Sequence, residues 1–309
     1  MKPKIAVIIG PTATGKSKCG LSLAQKLQTE IISGDSMLVY QGMNIGTAKP
    51  SAEELKVVRH HLVDILNPCQ EFSVYDFKIK AEKAILDINA GGKIPLLVGG
   101  TGLYVKALLE DYAFAETGEK TELRAELEHF AESRGREELH LRLAKLDSET
   151  ASRLHFNDVR RVIRAIETAL QGEQVSQEAK GELAYDAVVF GLRMPRARLY
   201  ARIDKRVEEM IAAGLFTETK DLLAANVPKE AQSMKSIGYR QAVQYLQGEL
   251  SREEAIGKIK QYTRNFAKRQ VTWYKKMPYI QWFDLDDDSD HEVIASRMYR
   301  LLVKRFNLL

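Results

Sequence analysis

The chain has 309 residues, of which 45% are hydrophobic and 28% charged, and its net charge is +4. This length allows one large domain with an elaboration, or two domains, and the composition is typical of a globular protein. No run approaches the roughly 18 apolar residues of a membrane span, and an apolar strand pattern at residues 4–9 leaves no room for a signal peptide. We therefore expect a cytoplasmic protein that binds no membrane, with two reduced cysteines and no zinc site.

The first apolar run leads directly into the pattern G-x-x-x-x-G-K-[ST], which is typical of a phosphate-binding loop. Its residues, all predicted to bind a di- or triphosphate, are Gly10, Pro11, Thr12, Ala13, Thr14, Gly15, Lys16 and Ser17. The glycines let successive N–H groups face an anion, and the following helix adds the positive end of its dipole. Lys16 supplies a point charge and Ser17 a ligand for Mg²⁺, so the motif predicts Mg²⁺ as cofactor and a cradle like the one that holds ATP in kinases.

Apolar runs alternate with helical patterns along the chain, as in a parallel sheet flanked by helices. The predicted strands are residues 4–9, 30–33, 61–65, 94–98, 187–192 and 279–283. Two helices are predicted in the first part of the chain, one beginning at residue 15 and one near residue 73. Four more are predicted in the last part, over residues 196–213, 217–225, 233–246 and 252–274. Residues 113–183 read as purely helical. The pattern therefore predicts an α/β fold, with a P-loop nucleotide-kinase-like core of residues 1–112 and 184–309, a helical C-terminal region, and an inserted all-helical lobe of residues 113–183.

Two polar segments follow predicted strands of this sheet. Asp35 comes after the second strand, and Thr101 stands between glycines after the fourth. Either segment alone would fit a helix cap or a turn. Because the carboxyl ends of parallel strands share the edge where ligands bind, their joint placement favours a site beside the phosphate cradle. A carboxylate at Asp35 can act there as a base.

Two stretches of the chain are strongly basic. Residues 258–276 contain seven Lys or Arg and no acid, with aromatic residues interleaved, and residues 193–206 contain six basic residues and one acid. Such stretches suit contacts with the phosphates of a polynucleotide, although a solvated helix face remains the alternative. Next to a phosphate cradle, the two stretches favour an anionic macromolecule as partner.

Together these motifs resemble those of the bacterial tRNA dimethylallyltransferases, also called tRNA isopentenyltransferases. The resemblance runs from residue 4 to about residue 277, and its segments include residues 10–17, 33–40, 42–50, 60–65, 72–77, 99–104, 157–167, 199–204, 237–239 and 263–270. It implies transfer of a dimethylallyl group from dimethylallyl diphosphate to the N6 amine of the adenine 3′ of the tRNA anticodon. The implied partners are that diphosphate and the anticodon stem-loop of tRNA, and we expect the protein to act as a monomer.

The resemblance also implies roles for particular residues. Asp35 is the expected general base, Thr101 lies at the target nucleotide, and Lys16 stabilises the diphosphate leaving group; Arg202 is our added candidate for binding that diphosphate. The residues expected at tRNA are Asp35, Ser36, Met37, Leu38, Thr101, Arg124, Arg160, Arg161, Val162, Ile163, Arg164, Lys268 and Arg269. Two positions depart from the family pattern, because Leu38 stands where Gln is usual and Asn44 where Asp is usual. The departure at Leu38 affects the expected local contacts with tRNA and not the expected reaction.

Three classes of function remain open on the sequence. Prenyl transfer to tRNA is favoured over phosphoryl transfer by a small-molecule kinase, because the sequence offers no convincing Arg-rich lid and carries a large helical insertion. Asp35 argues against a nucleotide-gated RNA-binding module without catalysis. A transferase acting on free adenine nucleotides would have little use for two basic stretches.

Overall fold

The structure is a computed structural model that describes residues 2–112, 121–170, 182–286 and 289–308. The chain divides into two compact units, which we call the core unit, Met1–Glu110 with Leu183–Leu309, and the insertion unit, Asp111–Glu182. The predicted start of the insertion at residue 113 lies outside the described residues. Within the described ranges, no helix combines the length and the apolar character that crossing a membrane requires.

Six strands in the described part of the core unit form one parallel sheet. They are β1 Lys4–Ile9, β2 Ile31–Ser33, β3 His60–His61, β4 Leu96–Gly99, β5 Asp186–Arg193 and β6 Ile280–Asp284. Their order in the sheet is β3-β2-β4-β1-β5-β6. The chain leaves β1 toward one side of the sheet and later returns to fill the other side, so the carboxyl end of β1 is the switch point at which ligands bind in open α/β sheets. The phosphate-binding motif follows β1 directly.

Helices of the core unit cover both faces of this sheet. They are α1 Lys16–Leu27, α2 Ala52–Val57, α3 Val74–Ala90, α4 Gly102–Leu109, α9 Arg196–Ala212, α10 Leu215–Ala224, α11 Tyr239–Leu246, α12 Arg252–Tyr274 and α13 His291–Phe306. Side chains alternate along β1, so Ala6 and Ile8 pack with α1 and α13, whereas Val7 and Ile9 pack in the cluster that contains α3, α4 and α12. The α/β class and the parallel sheet flanked by helices are confirmed.

The insertion unit is helical in its described part and has a hydrophobic core of its own. Its helices are α5 Thr121–Arg134, α6 Arg136–Leu146, α7 Ser148–Arg153 and α8 Val159–Leu170. Leu127, Leu143 and Ile166 are fully buried in this core. Residues 171–181, which the sequence also assigns to the helical lobe, lie outside the described residues.

Two predicted elements are wrong in extent. The third strand stops at His61, because Leu62 and Asp64 adopt positive φ values of 63° and 54° and the chain turns to bond the backbone near Leu38. The helix predicted over residues 233–246 begins only at Tyr239. The preceding Gly238 has a φ of 100°, which a right-handed helix cannot contain.

The segments that follow β2 and precede α4 make close contact at the carboxyl ends of β2 and β4. A Cβ atom on Gly99 would lie 2.5 Å from the Cα and carbonyl carbon of Gly34. The N–H of Thr101 donates to the carbonyl of Gly34 over 3.2 Å. The absence of a side chain at Gly99 therefore lets the segments carrying Asp35 and Thr101 approach each other.

We expect Gly99→Ala to lower the free energy of unfolding by about 1–3 kcal/mol, because the new methyl group meets backbone atoms that cannot move aside. Urea denaturation followed by circular dichroism measures this change. Gly257→Ala in α12 is the matched control, since nothing lies within 4 Å of its added Cβ and the substitution should stabilise the helix. An unchanged unfolding midpoint in Gly99→Ala would contradict the close approach.

Candidate active site

A cavity of about 300 Å³ opens in the core unit, next to the ends of β1, β2 and β4. Its polar lining includes Thr12, Asp35, Thr101 and Arg206, with Lys235 and Ser236 among the others. Its apolar lining comes largely from α9 and α12 and includes Ile203, Val207, Met210, Ile259 and Phe266. The cavity thus combines polar groups at the sheet edge with an apolar wall, which suits a ligand having a charged and an apolar part.

The loop after β1 is tightly curled. Gly15 has a φ of 88° and Ala13 a φ of 64°, which is the left-handed region that a non-glycine residue rarely adopts. The buried Thr14 hydroxyl donates to the carbonyl of Pro11 over 2.8 Å, and Lys16 Nζ donates to the same carbonyl over 2.8 Å. These bonds hold the loop curled with Lys16 folded over it.

Two buried side chains of α12 join this loop to the loop after β4. Gln270 Oε1 accepts the N–H of Thr12 over 2.9 Å, and Gln270 Nε2 donates to the carbonyl of Gly100 over 2.7 Å. The Tyr274 hydroxyl lies 3.1 Å from the carbonyl oxygen of Gly10 and 2.9 Å from that of Gly100. The motif predicts that successive N–H groups of the loop face an anion. The N–H of Thr12 does not, because it donates to Gln270. Sequence reasoning missed both side chains, although Gln270 lies in one of the matching segments.

Asp35 and Thr101, predicted to be neighbours, meet at the cavity. Asp35 Oδ1 accepts the N–H of Met37 over 2.8 Å, which fixes the carboxylate and leaves Oδ2 to take a proton. The Thr101 hydroxyl oxygen accepts the N–H of Ser36 over 3.3 Å, so its own proton can be donated to a ligand. The pair can therefore offer one proton acceptor and one donor to a bound molecule.

Two cations and one carboxylate interact at this site. Removal of water and the positive charge of Arg206 lower the pKa of Lys16 to about 7, and Asp35 partly opposes this change. Burial also lowers the pKa of Arg206, against the attraction of Asp35. An anion bound between the two cations would relieve their repulsion, so the electrostatics favour a phosphate-bearing ligand. Arg206 was missed in the sequence, where it ends the basic stretch of residues 193–206.

The other residues of the core unit that were predicted at the site differ in whether they line the cavity. Arg202 Nε donates to the carbonyl of Ala13 over 2.8 Å and so contacts the cradle from α9. Ser17 is exposed in the first turn of α1. Ser36 and Met37 line the cavity, whereas Leu38 is not among its lining residues.

The basic pair on α12 is exposed. Lys268 and Arg269 lie on the same surface turn of this helix, and the Arg269 guanidinium carbon is 5.9 Å from the centre of the Phe266 ring. Phe266 also lines the cavity. The pair is therefore one turn or less from a lining residue.

The insertion unit contains the remaining residues predicted at tRNA, and two of them have buried side chains. Val162 and Ile163 are 0% and 2% exposed in the core of this unit, so their side chains cannot contact tRNA. The prediction treated residues 160–164 as one segment, whereas helical periodicity turns two of them inward. Arg160 and Arg161 are exposed, as the prediction requires.

Arg124 and Arg164 have a second role in the insertion unit. Arg124 makes a two-bond contact with the buried Glu167, at 3.0 and 2.8 Å, and Arg164 NH1 lies 3.6 Å from the same carboxylate. Burying Glu167 without these cations would be costly, so both arginines stabilise the unit. Their side chains are still 48% and 40% exposed.

The fold and the cavity define a P-loop α/β protein of the nucleotide-kinase type, with a carboxylate and an apolar wall beside the cradle. The family model described as IPP transferase matches residues 38–277, and the one described as isopentenyl transferase matches residues 3–68. The tRNA dimethylallyltransferase of Geobacillus thermodenitrificans is 43% identical, with 100% of this chain and 99% of the relative covered. That of an Exiguobacterium species is 46% identical, with 92% and 91% covered.

Solved structures give the same result. The tRNA isopentenylpyrophosphate transferase of Bacillus halodurans has a TM-score of 0.73 at 41% identity, with 99% of both chains covered. A eukaryotic dimethylallyltransferase acting on tRNA has a TM-score of 0.81 at 29% identity, with 98% of this chain and 79% of that chain covered. The chain therefore belongs to the IPP transferase family, that of the tRNA dimethylallyltransferases, as its motifs predicted, and it is a transferase.

We expect the affinity of the protein for inorganic diphosphate to fall as the pH rises through about 7, the pKa of Lys16. Above this pKa the ligand-free amine loses its proton, so binding must take one up and weakens by up to about tenfold per pH unit. Isothermal titration calorimetry over a series of pH values measures the change.

Lys16→Arg is the control for this titration, because a guanidinium keeps its charge over the whole range. Ionisation of the diphosphate itself affects both proteins equally, so the ratio of their affinities isolates the Lys16 amine. A ratio independent of pH would show that the Lys16 amine stays charged in the ligand-free cavity.

Proposed function

We propose that this protein transfers a dimethylallyl group from dimethylallyl diphosphate to the N6 amine of the adenine 3′ of the anticodon in tRNA. One observation carries the proposal: a single cavity beside the phosphate-binding loop brings the Arg206 guanidinium, the Asp35 carboxylate and an apolar wall together, and Lys16 of that loop interacts electrostatically with both charged groups. The relatives named as tRNA dimethylallyltransferases support it. A tRNA substrate implies a cytoplasmic location, and we propose that the protein acts as a monomer.

The donor would lie with its diphosphate in the cradle. Lys16 and Arg206 would meet the negative charge that develops as the C–O bond to the diphosphate breaks, and Arg202 would bind from α9. The apolar wall from α9 and α12, including Val207 and Ile259, would receive the dimethylallyl group.

The residues present fit a magnesium ion that binds together with the donor. In the described part of the chain, no group of three or more His, Cys, Asp or Glu could hold a metal alone. Ser17 offers a hydroxyl oxygen in the first turn of α1, and Mg²⁺ typically takes one or two protein oxygens with phosphate and water for the rest. The ion would supply additional charge stabilisation for the diphosphate.

The acceptor would meet Asp35 and Thr101. The lone pair of an adenine amine is delocalised into the ring, so removal of a proton as the new C–N bond forms assists the attack. Asp35, held by the N–H of Met37, is the proposed base, and the Thr101 hydroxyl is a proposed contact to the target nucleotide. The adenine must leave its stack to enter the cavity, which costs a few kcal/mol that contacts elsewhere on tRNA must offset.

Those contacts are proposed for exposed basic side chains in both units. Lys268 and Arg269 lie on α12, and Arg160 and Arg161 lie on α8. Arginine and lysine side chains bind phosphates without regard to sequence, so these residues would hold the anticodon stem-loop rather than select the target base. With Leu38 outside the cavity lining, Ser36 and Met37 are the nearer candidates for contacts to the target base or its neighbours.

The experiment that tests the proposal incubates the protein and Mg²⁺ with labelled dimethylallyl diphosphate and either bulk tRNA or free adenine nucleotides. We expect the label in tRNA and none in free nucleotide. Label in the nucleotide pool would indicate a transferase for free nucleotides, and ATP consumption without label transfer would indicate a kinase.

Asp35→Asn should lower the single-turnover rate by about 10²–10⁴, which is the range for loss of a positioned base. The amide keeps the size of the side chain but cannot take up the proton. Rapid-quench assays with labelled donor measure the rate, and filter binding should give a tRNA affinity close to that of the unchanged protein. Asp87→Asn, at an exposed position of α3, is the control. A near-normal rate in Asp35→Asn would remove Asp35 from the role of base.

Reversing both charges of the α12 pair, with Lys268→Glu and Arg269→Glu, should weaken tRNA binding and flatten its salt dependence. The expected change is roughly one unit of log–log slope per lost phosphate contact. Binding titrations at several salt concentrations measure it, and the KM for dimethylallyl diphosphate should stay the same.

The matched control reverses Arg300 and Lys304, two exposed residues of α13 on the opposite face of the sheet. It changes the net charge equally, so it separates local contacts from the overall charge of the protein. Equal slopes for both double variants would show that Lys268 and Arg269 form a solvated helix face.

A further inference from the structure

The segment of residues 42–50 forms part of the cavity wall. Gly46 and Thr47 line the cavity, yet the segment has no helix or strand to satisfy its backbone groups. Its carboxyl end is fixed by Lys49, whose Nζ donates to the carbonyl of Tyr40 over 2.7 Å and pairs with Asp64. The position of the rest of the segment, which includes the wall residues Gly46 and Thr47, therefore depends on other contacts.

One carboxylate from α10 supplies these contacts. Glu218 accepts the N–H groups of three successive residues, Asn44 over 2.9 Å, Ile45 over 2.9 and 3.1 Å, and Gly46 over 3.2 Å. Three consecutive N–H groups facing one carboxylate fix the backbone more strongly than a single neutral hydrogen bond can. Glu218 itself is not among the residues that line the cavity. Its effect on a ligand must therefore pass through the wall that it holds.

Tyr239, fully buried at the start of α11, completes the arrangement. Its hydroxyl donates to Glu218 Oε1 over 2.5 Å and accepts the N–H of Gly46 over 3.2 Å. Its ring lies against Gly46, because a Cβ atom there would be 2.6 Å from the ring carbon Cζ. Burial first, and then the contact with Glu218, raise the pKa of Tyr239, so the hydroxyl keeps its proton for that bond.

We propose that Glu218 is a positioning residue for the prenyl donor, acting through the Asn44–Gly46 backbone and with Tyr239 to set the cavity wall against which the donor packs. Gly46 and Thr47 share the lining with the apolar residues of α9 and α12, which are the part of the cavity suited to the dimethylallyl group. Widening the wall loosens donor packing while Asp35 and the cradle stay in place. This inference rests on the proposed function of the cavity.

The test is steady-state kinetics of Glu218→Gln with dimethylallyl diphosphate and tRNA. The amide has one acceptor oxygen and turns an NH₂ group toward N–H donors, so the three bonds cannot all persist. We expect the KM for dimethylallyl diphosphate to rise about tenfold with kcat within about twofold, which is the pattern for loss of donor binding. Tyr239→Phe keeps the ring against Gly46 and loses only the hydroxyl, so its KM should rise about threefold.

Asp221→Asn is the matched control, because it removes one carboxylate charge from an exposed position of the same helix. Its KM should equal that of the unchanged protein. If Glu218 has a solely structural role, Glu218→Gln should have a lower melting temperature but an unchanged KM when the assay is run well below that temperature. That result would overturn the inference. If Glu218→Gln does not fold, an unchanged KM in Tyr239→Phe overturns it equally.

The proposed function is tested separately by the unchanged protein. If that protein transfers no label to tRNA, the proposed function fails and this inference fails with it. Transfer by the unchanged protein together with equal KM values in Glu218→Gln and Asp221→Asn overturns the inference alone.

Discussion

A buried amide and a buried phenol of α12 lie between the phosphate-binding loop and the loop after β4. Sheet hydrogen bonds set the spacing of β1 and β4 as far as Ile9 and Gly99, but not beyond the strand ends. Past that point, Gln270 and Tyr274 join the two loops through the backbone of Thr12 and Gly100. Because displacement of a reacting group by about 1 Å can cost on the order of 10²-fold in rate, this link matters for any reaction between ligands held by the two loops.

The same link explains residue choices around it. A Cβ atom on Gly100 would lie 2.5 Å from Gln270 Nε2, so a larger residue there would displace the amide. A buried amide is costly unless both its ends are bonded, and Gln270 meets this condition by contacting one loop at each end. Replacing it would break two contacts that lie in different loops. The helix that carries the proposed tRNA-binding pair therefore also holds the cradle in shape.

Two cationic side chains, Lys16 and Arg206, interact with one carboxylate, Asp35, at the site. Burial and, after it, the positive charge of Arg206 lower the pKa of Lys16, and the attraction of Asp35 offsets only part of this change. In the proposed reaction a diphosphate would bring negative charge to these cations, and most strongly as it leaves the prenyl group. Under the proposed function, donor binding and leaving-group stabilisation would thus come from the same arrangement of charges.

The sequence predicted those features that have a local pattern. The cradle motif, most of the sheet strands and the helices with clear periodicity follow from spacing alone, and the shared sheet edge placed Asp35 beside Thr101 correctly. The third strand and the start of α11 were wrong, because single residues with positive φ override apolar patterns. Gln270, Arg206 and Glu218 were missed, because each acts through contacts with segments far away in the chain. Gln270 and Thr12 are 258 positions apart, and no local periodicity carries such a pairing.

The most direct test of this account is mass spectrometry of tRNA incubated with the protein, Mg²⁺ and dimethylallyl diphosphate. Digestion to nucleosides, with mapping of anticodon-loop fragments, identifies both the product and its position. The account predicts N6-dimethylallyladenosine at the adenosine 3′ of the anticodon and nowhere else in the tRNA. Unmodified adenosine at that position, or a prenyl group on another nucleoside, would contradict it.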